Sequence, residues 1–138
     1  MAANARFMKR ILLSLVLVAA LGAPAAATAG SPIEGRWRNG KMEIEIDRCG
    51  QALCGTVVKA SSKAQAKAQK GTGTKLIGAR LIDNIRPAGE GRYKARVFLA
   101  DRDMHASGTI RRVGENQLAV RGCALLVICR SATWDRVR

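Results

Sequence analysis

The side chains with the most chemical potential in this sequence are four cysteines, Cys49, Cys54, Cys123 and Cys129, and a single histidine, His105. Four thiolates can hold zinc, but structural zinc sites favour close Cys-x-x-Cys pairs, and neither pair here has that spacing. An even number of cysteines reads instead as two disulfides; three pairings are open, and the local ones, Cys49 with Cys54 and Cys123 with Cys129, are favoured. Cys-Gly-Gln-Ala-Leu-Cys can carry the end of one strand into the next and bring its two cysteines across a turn. His105 and Ser107 are two residues apart and would share one face of a strand, the one arrangement that sets a base beside a hydroxyl. No glycine-flanked nucleophile elbow accompanies them. Asp101, Asp103 and Glu115 could supply an acid and a base or a cation site, but Arg102, Arg111 and Arg112 are at hand to neutralise them. Gly71-Thr72-Gly73-Thr74-Lys75 lacks the spacing of a phosphate loop and reads as a mobile linker. The expectation is no catalytic constellation, no metal site and no cofactor.

These residues must be placed by a chain of 138 residues in which 24 Lys and Arg face 10 Asp and Glu, a net charge of +14. Such an excess points to an anionic partner. Residues 1–29 read as a cleaved secretory signal: Arg6, Lys9 and Arg10 precede an apolar run from Ile11 to Leu21, and small residues follow up to Ala29. Gly22 and Pro24 stop that run short of the ~20 residues needed to cross a bilayer, so no transmembrane segment is expected after cleavage. The leader holds three of the basic groups and none of the acidic ones, which leaves +11 on residues 30–138. Export to a periplasmic or extracellular compartment is the setting in which disulfides persist.

Residues 30–138 read as one domain. Met42, Ile44 and Ile46 alternate with Glu43, Glu45 and Asp47, the period of a strand with one buried face. Tyr93, Ala95, Val97 and Leu99 alternate with Arg92, Lys94 and Arg96, and Leu118 and Val120 with Gln117 and Arg121. Turn residues separate such segments, so the expected fold is all-β: a small antiparallel up-and-down barrel of about 7–8 strands. One insertion, about residues 61–74, breaks the pattern. Ser61 to Lys70 is rich in helix formers, with serine as a cap and Gly71 as a stop, but polar nearly all round, so it reads as an exposed short helix or a mobile loop.

Gly35-Arg36-Trp37 and Trp134-Asp135-Arg136 lie at opposite ends of this domain. In an up-and-down barrel the first and last strands are neighbours, so Gly35, Trp37, Trp134 and Arg136 are candidates for barrel closure, with an arginine packed on an indole face. The Gly-x-Trp element is similar to the signature of lipocalins and other calycins. Pro32 to Trp37, Cys49 to Gly55, Val120 to Cys123 and Cys129 to Arg136 together resemble the secreted bacterial family Domain of Unknown Function 2147. The resemblance implies a lipocalin-like barrel, exported, with no reaction established. Asp101 to Gly108 stands where many members carry a longer acidic, glycine-bearing segment, so no loop function is carried over.

Two functions follow as expectations. A barrel of this kind suits a non-catalytic module holding an apolar or amphipathic small molecule. Alternatively, Arg92, Lys94 and Arg96 form an anion-binding face for envelope lipid, lipopolysaccharide or cell-wall groups. Nucleic acid is disfavoured, because Trp37, Tyr93, Phe98 and Trp134 are the only aromatics after the leader and the tryptophans are assigned to closure. A monomer is expected.

Overall fold

The computed structural model describes residues 30–125 and 127–138; the leader assigned to residues 1–29 lies outside them. Eight strands follow in order: β1 (Gly35–Asn39), β2 (Met42–Cys49), β3 (Ala52–Lys59), β4 (Arg80–Pro87), β5 (Arg92–Leu99), β6 (Met104–Arg112), β7 (Gln117–Ala124) and β8 (Ile128–Arg136), with one helix, α1 (Ser62–Thr72), between β3 and β4. Each strand pairs antiparallel with the next, and β1 pairs with β8 through Trp37 opposite Arg136 and Arg38 opposite Asp135, closing the barrel. Closure leaves no unpaired sheet edge. Alternation along each strand then sends one set of side chains inward and the other to solvent.

The two ends differ. At one end, Ile33, Trp37, Ile46, Leu53, Ile85, Tyr93, Ile110 and Leu118 are all buried and form a solid plug. The Trp37 indole N–H donates to the Ile33 carbonyl at 2.9 Å, which draws the segment before β1 beneath the strands. At the other end lie the β1–β2, β5–β6 and β7–β8 turns and the segment carrying α1. This end stays open.

Helix α1 departs from its expected reading in two respects. It stops at Gly73 rather than at Gly71: Gly73 has φ 67°, a left-handed conformation that glycine adopts without penalty, and its N–H bonds the Gln69 carbonyl at 2.9 Å. Nor is the helix an exposed appendage. Ala68 is buried and Ala64 half-buried against the barrel, and the Thr72 hydroxyl donates to the Ala100 carbonyl at 2.7 Å. Gly71 packs so tightly on the Asp101 backbone that a Cβ there would overlap it. The segment read as a mobile linker is thus the capped end of a docked helix, anchored beyond it by buried Leu76. Alanines four residues apart suffice as a packing stripe where the helix approaches closely.

Both disulfides join local pairs, Cys49 with Cys54 across the β2–β3 turn and Cys123 with Cys129 across the β7–β8 turn. The second pair occupies directly opposed register positions.

On the outer surface, Glu43 is only 4% exposed because basic side chains from β1 and β3 cover it. Arg38 donates to its carboxylate from Nε at 2.9 Å and from Nη2 at 2.7 Å, and Arg36 and Lys59 stand within 4.0 Å. The Arg38 hydrogen bonds, aided by the charges of Arg38, Lys59 and Arg36 and opposed by desolvation, hold the Glu43 carboxyl below its ordinary value of 4.5. A carboxyl depressed on folding gives stability that is present above the unfolded value and lost as pH falls through the folded one. Glu43→Gln should therefore lower the urea midpoint at about pH 7, and the gap from wild type should narrow by about pH 3. An unchanged gap at the two pH values would show that the carboxylate charge contributes nothing.

Candidate functional site

The open end leads into an apolar cavity, part of whose wall is made of the small residues Ala106, Gly122, Ala124 and Ala132. Along β5, β6, β7 and β8, Ala95, Gly108, Gly122 and Arg130 lie in one cross-strand row, and Val97 opposite Ala106 begins the next. In this row Gly122 borders the cavity and offers no side chain to fill it, whereas at Gly108 the Val97 side chain takes up the space, 2.9 Å from where a Cβ would stand. One compartment, about 330 Å³, lies between the barrel and α1 and is bounded by Met42, Ile44, Ala68, Leu76, Ile82 and Val97 among others. A second, about 410 Å³, opens along β6, β7 and β8. Val97, Leu99, Asp101, Val120 and Trp134 border both. The volumes fall in the range of small-molecule sites, roughly 300–1,000 Å³.

The charged groups of the lining stand toward the mouth. Lys67 reaches it from α1, Asp101 and Arg102 from the β5–β6 turn, and Arg130 from β8. Asp101 and Arg102 pair at 3.8 Å with both side chains about half exposed, an interaction of small energy in water. Three cations and one carboxylate thus ring an apolar interior. Such a site can take an apolar body and hold an anionic group at its rim.

Of the four residues expected at the closure, Gly35, Trp37 and Arg136 lie together at the plugged end. Arg136 sits 4.2 Å from the Trp37 ring centroid and donates to three carbonyls, Glu34 at 2.9 Å, Pro32 at 2.8 Å and Glu115 at 3.0 Å. Gly35 has φ 119°, and a Cβ there would come within 2.9 Å of the Arg136 guanidinium. Trp134 is elsewhere: two residues before Arg136, it faces inward one step toward the mouth and walls both compartments.

Arg92, Lys94 and Arg96 are exposed on the outside of β5. Arg92 stands opposite Arg111, Lys94 opposite Arg86, and Arg121 follows across Thr109. Asp83, opposite Arg96, is the acid within this belt. His105 and Ser107 are exposed on the outer face of β6, with the His105 ring 5.1 Å from that of Phe98. Neither lines the cavity. Among the described residues, no group of three or more His, Cys, Asp or Glu side chains could hold a metal ion, and no helix is long and apolar enough to cross a membrane.

A family model described as "Uncharacterized protein conserved in bacteria (DUF2147)" matches residues 35–136, from the first residue of β1 to the last of β8. The chain belongs to the DUF2147 family. This DUF2147 barrel is similar to a solved Helicobacter pylori protein that is described as belonging to the lipocalin family. The TM-score is 0.56 at 12% identity, over 75% of this chain and 80% of that one. At that identity the likeness establishes the lipocalin-like fold and nothing finer. No curated protein matches the sequence.

Ala106, Gly122, Ala124 and Ala132, which line the cavity of the DUF2147 barrel, carry no chemistry and escape a search for reactive side chains. Their signal is positional. Along β7 the inward residues pass from Leu118 and Val120 to the small Gly122 and Ala124 toward the mouth.

Proposed function

We propose that this DUF2147 barrel is an exported, non-catalytic binding module whose cavity holds a small apolar or amphipathic molecule with its anionic group at the mouth. The observation that carries the reading is the cavity itself: apolar inside, open at one end, and ringed by Lys67, Arg102 and Arg130. Two disulfides, with every cysteine paired, suit an oxidising periplasmic or extracellular compartment. The domain spans residues 30–138, with residues 1–29 as its cleaved leader, and works as a monomer. His105 and Ser107 stand outside the cavity, which supports binding without catalysis.

The test is a titration with 1-anilinonaphthalene-8-sulfonate, an apolar ring system bearing one sulfonate, followed by displacement with dodecanoate. Saturable one-to-one binding with a dissociation constant of about 1–100 μM is expected, and dodecanoate should displace the probe better than dodecanol. Absence of saturable binding, together with native mass spectra showing no bound mass on protein purified from its own compartment, would reject the reading.

A second reading rests on the outer belt. Arg86, Arg92, Lys94, Arg96, Arg111 and Arg121 occupy neighbouring register positions on β4 to β7. Through this face the barrel would associate with anionic envelope groups in a salt-dependent way.

A further inference from the structure

The open end differs from the plugged end in a second respect, its surface. Among the described residues, four of the five exposed large apolar side chains lie at the open end; the fifth, Val113 in the β6–β7 turn, is at the plugged end. Leu125, Val127 and Ile128 at the β7–β8 turn are 73%, 82% and 55% exposed, and Ile77, in the segment after α1, is 39% exposed. Leu125 also adopts φ 53°, a left-handed conformation that favours glycine or asparagine. Local backbone preference and contact with water both disfavour leucine at that position. The Cys123–Cys129 disulfide closes the base of the turn and holds the tip as a unit.

The charge of the loops is sorted along the same axis. In the segments between strands at the open end stand Lys41, Lys63, Lys67, Lys70, Lys75 and Arg102, against Asp101 and Asp103. At the plugged end the segments outside the strands carry Glu34, Glu90 and Glu115, against Arg138. The mouth loops are therefore basic and apolar-tipped, whereas at the base the loop acids are offset by Arg48, Arg86, Arg92, Arg111, Arg112 and Arg136 at the adjoining strand ends. An apolar tip and a set of lysines at the same end of the barrel match the chemistry of an anionic bilayer surface, where phosphates lie outside acyl chains.

We infer that the barrel docks end-on to an anionic lipid bilayer, with Leu125 and Val127 entering the acyl boundary, the mouth lysines meeting phosphates, and the cavity opening toward the membrane. The lysines draw the mouth to the surface, and the tip sets the orientation. Docking uses surface residues alone, so it stands or falls independently of what the cavity holds.

The test is co-flotation with phosphatidylcholine vesicles containing about a quarter phosphatidylglycerol, and with phosphatidylcholine alone. Wild-type protein should float with the anionic vesicles, and added salt should weaken the association. Leu125→Ser/Val127→Ser and, separately, Lys70→Glu/Lys75→Glu should each lower the partition coefficient by about tenfold or more. None of these four side chains lines the cavity. Unchanged thermal melting and unchanged anilinonaphthalene sulfonate binding would show that fold and cavity are intact. The belt variant Arg92→Glu/Arg96→Glu should float as wild type does. Loss of flotation in the belt variant with retention in the tip variant would overturn end-on docking in favour of a side-on contact. Equal flotation on neutral and anionic vesicles, or none on either, would overturn it outright.

Discussion

Trp37→Ala should be the most destabilising single change in this protein, costing about 3–5 kcal/mol. The indole is fully buried in the plug, its N–H is bonded to the Ile33 carbonyl at 2.9 Å, and the Arg136 guanidinium lies on its face at 4.2 Å. Alanine removes the largest fully buried side chain, leaves a void bounded by rigid strands on all sides, and deprives the Ile33 carbonyl of its donor. Arg136 loses its platform, and its hold on Pro32 and Glu34 slackens with it. Domains of this size have about 5–15 kcal/mol in total, so the melting temperature should fall by on the order of 20 °C. Trp37→Phe separates the contributions: it keeps a ring under Arg136 and loses the hydrogen bond, at about 1–3 kcal/mol. Thermal melts of the oxidised proteins measure both. If alanine cost no more than phenylalanine, packing of the indole would not be what holds the plug.

Gly122→Phe should weaken probe binding at least tenfold while leaving the fold intact. A Cβ built on Gly122 meets no heavy atom within 4 Å, and the residue's backbone is ordinary for an L-amino acid. A phenyl ring there would project into the compartment of about 410 Å³ and occupy the space a ligand would take. Phenylalanine also favours strand conformation and would bury apolar area, so stability should hold or rise slightly. Affinity for anilinonaphthalene sulfonate should drop at least tenfold, about 1.4 kcal/mol. Gly108, the neighbour in the same row, provides the contrast. A Cβ at Gly108 lies 2.9 Å from the Val97 side chain, so Gly108→Ala should cost about 1–3 kcal/mol of stability through overpacking. Wild-type affinity in a folded Gly122→Phe protein would place the probe outside the compartment that Gly122 lines.

The two glycines show how far a linear reading reaches. Alternation around Gly122 marks the residue as inward-facing, because strand geometry repeats every two residues and requires only neighbours in the chain. It cannot say that Gly122 stands beside Gly108 and Ala95, or that one of the glycines faces open space and the other a valine methyl. Those facts depend on the register of three strands. The docking of the helix, unlike its existence, escapes the linear pattern for a related reason. Its composition has no broad apolar stripe, yet Ala64 and Ala68 are apolar enough where the β5–β6 turn allows the backbone to come close. Trp134 and Trp37 are indistinguishable in the chain as aromatic residues near strand ends. A step of one inward position along the barrel axis puts Trp37 in the plug and Trp134 on the cavity wall.

By itself, the sequence determined the properties that propagate over a few residues. These are the strand alternation that makes an all-β barrel, the turns between strands, the basic outer face of β5 and the amount of charge on the domain. Each follows from local backbone geometry or from composition. Only the tertiary structure decided where the barrel is solid and where it is hollow, that α1 flanks the hollow, and that the lysines of the α1 segment and an exposed apolar tip share the open end. These depend on which residues of different strands share one level along the barrel axis. Strand pairing and shear set that level when the sheet closes.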